Sequence, residues 1–310
     1  MYDFLNTLSG LIWGPITLIL ILGTGIFLSL GLKGFTFTYI IVAFKQIFRK
    51  DEKATDGEIT SFQSLTTALS ATVGTGNIAG VATAIYIGGP GAVFWMWVSA
   101  LFGMATKYAE AFLAIKYREK NANGETVGGP MYYIKNGLSK NYIIYAYLFA
   151  LAGMIAALGI GNGVQVNSVS QVIENEFGIS SFTVGIFIAL LVALVILGGI
   201  KSIGKITSKL VPLMSAIYIL GGLWIIVLNY TEVTYVFDLI TSSAFTSTAA
   251  TGGFAGATVW MALRYGVARG VFSNEAGLGS SPIAHAAANT NNPAKQGMIS
   301  MLEPLIDTLI

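Results

Sequence analysis

Uncharged stretches long enough to cross a lipid bilayer recur along this chain, at residues 11–32, 62–87, 142–173, 182–200 and 210–230. About 20 apolar residues in a helix cover the roughly 30 Å hydrocarbon layer. Inside that layer every backbone amide needs an internal partner, so only helices or closed barrels can span it, and runs this long and continuous fit helices. Of the 310 residues 54% are hydrophobic and 10% charged, against about 25% charged in soluble domains. The chain therefore reads as an all-α, polytopic membrane protein. Nothing basic precedes the first run, and Asp3 lies before it, so it reads as a retained helix and not as a secretory signal. A net charge of +2 without a basic block speaks against nucleic acid as a partner. The lack of cysteine removes disulfides, thiolate metal sites and cysteine nucleophiles.

Helices are expected at about 8–31, 62–86, 91–118, 142–176, 182–199, 205–229, 257–288 with a break, and from 297 onward. The connecting segments orient them. Lys33, Lys45, Arg49, Lys50 and Lys53 follow the first helix; Lys116, Arg118, Lys120, Lys135 and Lys140 the third; Lys201, Lys205 and Lys209 the fifth; and Lys295 the seventh. Because positive charge stays on the cytoplasmic side, this alternation predicts a multi-pass cell-membrane protein with its N-terminus outside. The opposite loops carry only acids: Asp3, Glu174, Glu176, Glu232 and Asp238. The segment 241–257 is uncharged but rich in Ser, Thr and Gly, and reads as an external re-entrant or short-helix loop. Residues 51–60 and 119–130 are the clearly hydrophilic stretches, too short to hide a soluble domain.

Two spans are interrupted in composition. The second helix contains Ala71-Thr72-Val73-Gly74-Thr75-Gly76-Asn77, and the seventh contains Phe272-Ser273-Asn274-Glu275-Ala276-Gly277-Leu278-Gly279. Small residues can also serve close helix packing, yet paired glycines beside a threonine and an amide weaken the helix and supply oxygen ligands and exposed amides. Half-helix N-termini attract carboxylates, whereas unwound carbonyls and half-helix C-termini hold cations. Glu275 at membrane depth marks a functional group, or else a structural ion pair with Arg264 or Arg269. Gln165, among Gly161, Asn162, Gly163 and Asn167, is a further candidate, although a buried polar face between helices explains Asn162 and Asn167 as well. Lys107 and Glu110 have the spacing of a helix-surface ion pair. Trp95 and Trp97 read as interface or core aromatics, and His285, the lone histidine, as structural. No catalytic constellation is present, so the chain reads as a non-enzyme without a cofactor.

At these residues the chain resembles the alanine or glycine:cation symporter family, the sodium:alanine symporters. The run Gly88-Gly89-Pro90-Gly91-Ala92-Val93-Phe94-Trp95-Met96-Trp97-Val98-Ser99-Ala100-Leu101-Phe102-Gly103 is similar to that family's signature. Lys107-Tyr108-Ala109-Glu110, Gly128-Gly129-Pro130-Met131-Tyr132, Gly198-Gly199-Ile200-Lys201-Ser202-Ile203-Gly204 and Gly252-Gly253-Phe254-Ala255-Gly256 also resemble its blocks. The resemblance implies sodium-coupled symport of small neutral amino acids by alternating access. A proton-coupled carrier and a channel-like pore are the alternatives.

It also implies the inverted five-helix repeat of the sodium symporters, with one extra N-terminal helix at 8–31, a first repeat at 62–229 and a second repeat beginning at 257–310, within which the chain stops. Sodium would be held by Thr72, Val73, Asn77 and Ser273. The substrate carboxylate would meet the amides of Thr75 and Gly76, and its ammonium the segment Phe272, Ser273, Asn274, Glu275 and Ala276, assisted by Gln165, with Phe272 limiting side-chain size.

Overall fold

Gly91–Lys116 is the helix around which the rest is arranged. Over its apolar window 61% of the residues are buried inside the protein, against 6% for the other long helices, Lys140–Phe177 and Gly199–Leu228. The left-handed Gly89 (φ 74°) turns the chain immediately before it. Three pieces pack along its sides: the helix Pro15–Gly31, the broken helix made of Val259–Asn274 and Ser281–Ala286, and the helix Pro293–Ser300. This is a computed structural model, and it describes residues 2–49, 57–246 and 258–309.

The approach of Val259–Asn274 to the central helix is set by two glycines one turn apart. A Cβ on Gly266 would stand 2.4 Å from the carbonyl oxygen of Ala92, and one on Gly270 would stand 2.1 Å from Ser99 Oγ. Membrane helices, without a hydrophobic drive toward one another, associate through such small-residue contacts. The long helices at 140–177 and 199–228 show the opposite surface. They expose Leu148, Leu151, Ile155, Leu213, Ile217, Leu220 and Trp224 among many apolar side chains. An apolar surface of this extent has no place in water, and helices hydrophobic all round suit lipid.

The expected all-α, polytopic architecture is present. Among the described residues three helices are long and apolar enough to span, and the bent pair Ser61–Thr72 and Gly76–Gly88 makes a fourth if it is one span. Several boundaries differ. The span expected at 8–31 divides into Tyr2–Ile12 and Pro15–Gly31, because Pro15 lacks an amide hydrogen and is favoured in a first helical turn. The loop expected after residue 32 contains the helices Phe35–Thr38 and Ile40–Ile47. The latter buries Ala43 and Ile47 in the core beside Leu65, Leu69, Met104, Ile299 and Leu302. Another unexpected helix, Val233–Ser243, follows the last long span. The hydrophilic stretch 119–130 folds into a small hairpin pairing Glu119 with Val127 and Lys120 with Thr126. Of the segment 241–257, residues 247–257 lie outside the described residues, as do 51–56 of the other hydrophilic stretch.

Candidate functional site

The first break begins from a well-defined helix start. Thr60 Oγ1 accepts the Gln63 amide at 3.1 Å and Gln63 Oε1 accepts the Thr60 amide at 2.9 Å, a capping box. The helix Ser61–Thr72 ends at Val73, whose backbone is extended at φ −75°, ψ 107°. It resumes as a π-helical turn, Gly76–Gly80, and then as Val81–Gly88, bent by 51° from the first half. The amides freed by the break find side chains. Gly74 N–H donates to Asn77 Oδ1 at 2.8 Å, while the Thr75 amide and hydroxyl donate to Gln165 Oε1 at 3.3 and 2.9 Å. A Cβ on Gly74 would lie 3.0 Å from that same oxygen, so glycine there admits the Gln165 amide.

The second break ends the helix Val259–Asn274 at Glu275, which takes a left-handed conformation with φ 53°. Gly277 and Gly279 follow, also left-handed, before Ser281–Ala286 restarts with Pro282 in its first turn. The Glu275 carboxylate accepts the hydroxyl of Ser280. An ion pair of Glu275 with Arg264 or Arg269, one reading of the sequence, does not form: Arg269 lies over the Phe272 ring at 5.6 Å and Arg264 over Tyr265 at 5.7 Å. The left-handed turn aims the carboxylate along the break toward Ser280, away from the helix that carries the arginines.

A single amide ties the breaks together. Asn77 Nδ2 lies 2.9 Å from Ser273 Oγ, 2.9 Å from Asp307 Oδ1 and 3.0 Å from the Asp307 carbonyl oxygen. Ser273 Oγ donates to Asp307 Oδ2 at 2.8 Å, and Thr308 Oγ1 donates to the same oxygen at 2.9 Å. Asn274 Nδ2 donates to Thr308 Oγ1 at 3.1 Å. Phe272 borders the first break, with its ring 3.6 Å from where a Gly76 Cβ would stand. Three π-helical stretches meet here: Gly76–Gly80 carries Asn77, Ala157–Val164 precedes Gln165, and Leu305–Leu309 carries Asp307. Such local widenings of a helix concentrate at functional positions.

The expected site residues thus separate. Thr75, Gly76, Asn77, Gln165, Phe272 and Ser273 face one another across the breaks. Thr72 is buried with its hydroxyl on the Leu69 carbonyl, and Val73 packs against the core cluster. Asn274 turns its Oδ1 to the Ala276 amide, and Ala276 packs where a Cβ on Gly103 would be 3.0 Å away, against the central helix and apart from the first break. The sequence reading left Asp307 out. Its signal was available, since a carboxylate in an apolar helix carries the same implication as Glu275.

A second polar cluster lies deeper. Glu303 is fully buried and accepts Lys107 Nζ at 3.0 Å, Ser300 Oγ at 2.7 Å and Ser281 Oγ at 2.7 and 2.9 Å, with His285 Nε2 at 2.5 Å. Gln296 Nε2 reaches Ser64 Oγ at 2.8 Å and lies 2.5 Å from His285 Nδ1. Lys107 and Glu110 are therefore not the surface pair that their spacing suggested. Both are buried, and Lys107 serves Glu303, because the second broken helix and the terminal helices cover this part of the central helix. Asn162 and Asn167, for which a buried face was one reading, are exposed.

Comparison with known proteins adds the following. The model of the sodium:alanine symporter family matches residues 1–310. The chain is 52% identical to the sodium/alanine symporter AgcS of Methanococcus maripaludis, over 99% of this chain and 68% of that protein. It is 50% identical to an uncharacterized transporter of Haemophilus influenzae, over 99% of this chain and 67% of that protein. It is 48% identical to the uncharacterized transporter YflA of Bacillus subtilis, over 99% of this chain and 65% of that protein. The chain spans about two thirds of the length of these relatives.

Proposed function

Since the chain belongs to the sodium:alanine symporter family, a family of transporters and not of enzymes, we propose that it provides the binding centre of a sodium-coupled symporter for small neutral amino acids such as alanine and glycine. The observation that carries this reading is the junction of the two helix breaks through the 2.9 Å contact between Asn77 and Ser273. Unwound backbone within a membrane persists only where it is buried in protein or lines a cavity, and here it meets its counterpart from a distant part of the chain. The family's description and the name of AgcS both give sodium, so proton coupling is not favoured.

In this reading the amino acid lies between the breaks. Its carboxylate takes the amide and hydroxyl of Thr75, displacing Gln165 Oε1, which then turns to the ammonium. Phe272, above Gly76, closes the side-chain end of the pocket and limits its size. Sodium is held beside it by backbone carbonyls at Thr72 and Val73 with Asn77 and Ser273. The surrounding helices follow the inverted five-helix repeat, with the segment at 8–31 added before it and the N-terminus outside, and one bundle rocks against the other to alternate access. Coupling arises because each ligand favours the state that holds the other, so the two affinities change by the same factor.

The test is calorimetric titration of L-alanine into the purified native transporter in sodium and in choline buffer. Tighter alanine binding in sodium, weakened for both ligands by Asn77→Ala, is the expected result. Equal alanine affinity in the two buffers would remove the coupling.

A further inference from the structure

We propose that the helix Ile40–Ile47 and its flanking residues form a docking surface for an anionic phospholipid. This requires the chain's place in a membrane but not the transport reading. Eight helical residues extend about 12 Å, too short to cross the hydrocarbon layer. The level of the segment is set by its neighbours. The Phe35 ring meets Tyr108 at 5.3 Å, about 12 Å before the central helix ends at Lys116. The Phe48 ring stacks on Phe62 at 5.8 Å, where the first broken helix starts. One helix ends and another begins here, so the segment lies at the boundary between hydrocarbon and headgroups.

The helix has three sides. Ala43 and Ile47 are buried against Leu65, Leu69 and Leu302. Ile41 and Phe44, three residues apart, and Phe48 at the helix end form an apolar edge that stays exposed, Ile41 by 71% and Phe48 by 77%. Lys45 stands beyond that edge and Arg49 follows just past the helix, both exposed. Lys33, exposed at the left-handed turn that leads into the segment (φ 53°), adds a further cation. From Lys33 to Lys50 the sequence has no acid, and among the described residues no carboxylate lies within ion-pair distance of Lys33, Lys45 or Arg49. An apolar edge beside an unneutralised cationic one suits a helix lying in the membrane interface. Hydrocarbon covers Ile41, Phe44 and Phe48, while the long stems of Lys45 and Arg49 carry their charges to the phosphate level. A phosphatidylcholine headgroup brings its own cation, whereas phosphatidylglycerol leaves a net negative charge for these residues to meet. That match selects lipid over a further apolar protein segment, which would cover Lys45 and Arg49 unpaired.

Native mass spectrometry of the full transporter, titrated in detergent with phosphatidylglycerol or phosphatidylcholine, tests this. The native protein should bind phosphatidylglycerol more tightly, and Lys45→Gln combined with Arg49→Gln should lower that affinity by about tenfold while leaving phosphatidylcholine unchanged. Ile41→Ser, which keeps both charges, should weaken the two lipids alike. Lys140→Gln, which removes an exposed cation elsewhere, should change neither. Equal affinity of the native protein for the two lipids, or a double variant within about twofold of it, overturns the proposal. So does protection of Lys45 from acylation in lipid-free detergent, since another segment of protein then already covers this face.

Discussion

Glu303 and Asp307 stand one helical turn apart on the same terminal run, both buried, yet the protein treats them differently. Glu303 has a cation built in: Lys107 reaches it from the central helix at 3.0 Å, and His285 and two serine hydroxyls complete its shell. Asp307 has the same kind of hydroxyl and amide donors but, among the described residues, no cationic side chain in contact. Breaking a buried ion pair leaves an uncompensated charge, so the first cluster is fixed once the chain has folded. The second is held by neutral donors. The one acid is locked by an ion pair and the other by neutral hydrogen bonds.

The sharpest way to break this comparison is Lys107→Met. It strands Glu303 in the core, which costs about 3–5 kcal/mol, and thermal unfolding of the purified transporter should then move down by about 10 °C. Adding Glu303→Gln to that variant should restore most of the loss; a harmless single variant would mean that Lys107 does not hold the cluster. In contrast, Asp307→Asn should shift the unfolding midpoint by less than about 2 °C, since no ion pair is broken. A fall as large as that of Lys107→Met would erase the difference between the two acids.

Gln165→Ala comes next, and bears on the binding side alone. It frees the Thr75 amide and hydroxyl for the carboxylate but removes the oxygen that would accept from the ammonium, a hydrogen bond to a charged group worth about 1.5–3 kcal/mol, and alanine affinity by calorimetry should weaken by about tenfold. The smallest effect belongs to an exposed pair with the same chemistry as Lys107 and Glu303. Lys135 donates to Glu119 at 2.7 Å on the surface, and this hydrogen bond holds the Glu119 carboxyl below its ordinary range. A lowered carboxylate contributes above its unfolded pKa and loses that contribution as pH falls through the folded value. Glu119→Gln should thus leave the unfolding midpoint unchanged at pH 7 within error, because water screens exposed pairs, and any residual difference should shrink as pH falls below the ordinary carboxylate range of about 4.

Much of the site was legible because its signals are local. Gly74 and Gly76 beside Asn77, and Gly277 and Gly279 beside Glu275, interrupt apolar runs whose own composition demands helix, and both interruptions are present. Gln165 was legible as a polar residue in a glycine-rich span. Its partner was not, since nothing in the sequence says which face of that span meets Thr75. Asp307 was passed over because its meaning is relational: it lies 230 residues from Asn77 and acquires a role only when the breaks meet. Lys107 shows the converse error. Its spacing from Glu110 is that of a surface pair, and only the packing of Gly266 and Gly270 against the central helix, which brings the terminal segments close, shows that this face is enclosed.

The sequence by itself determined that this chain is helical and lives in a membrane, because unsatisfied amides are costly in lipid and long continuous apolar runs suit helices, and its glycines marked where two of those helices break. The tertiary structure alone decided which carboxylate received a cation from the protein and which did not. Charge compensation acts over a few ångströms in space, and separation along the chain carries no record of that distance.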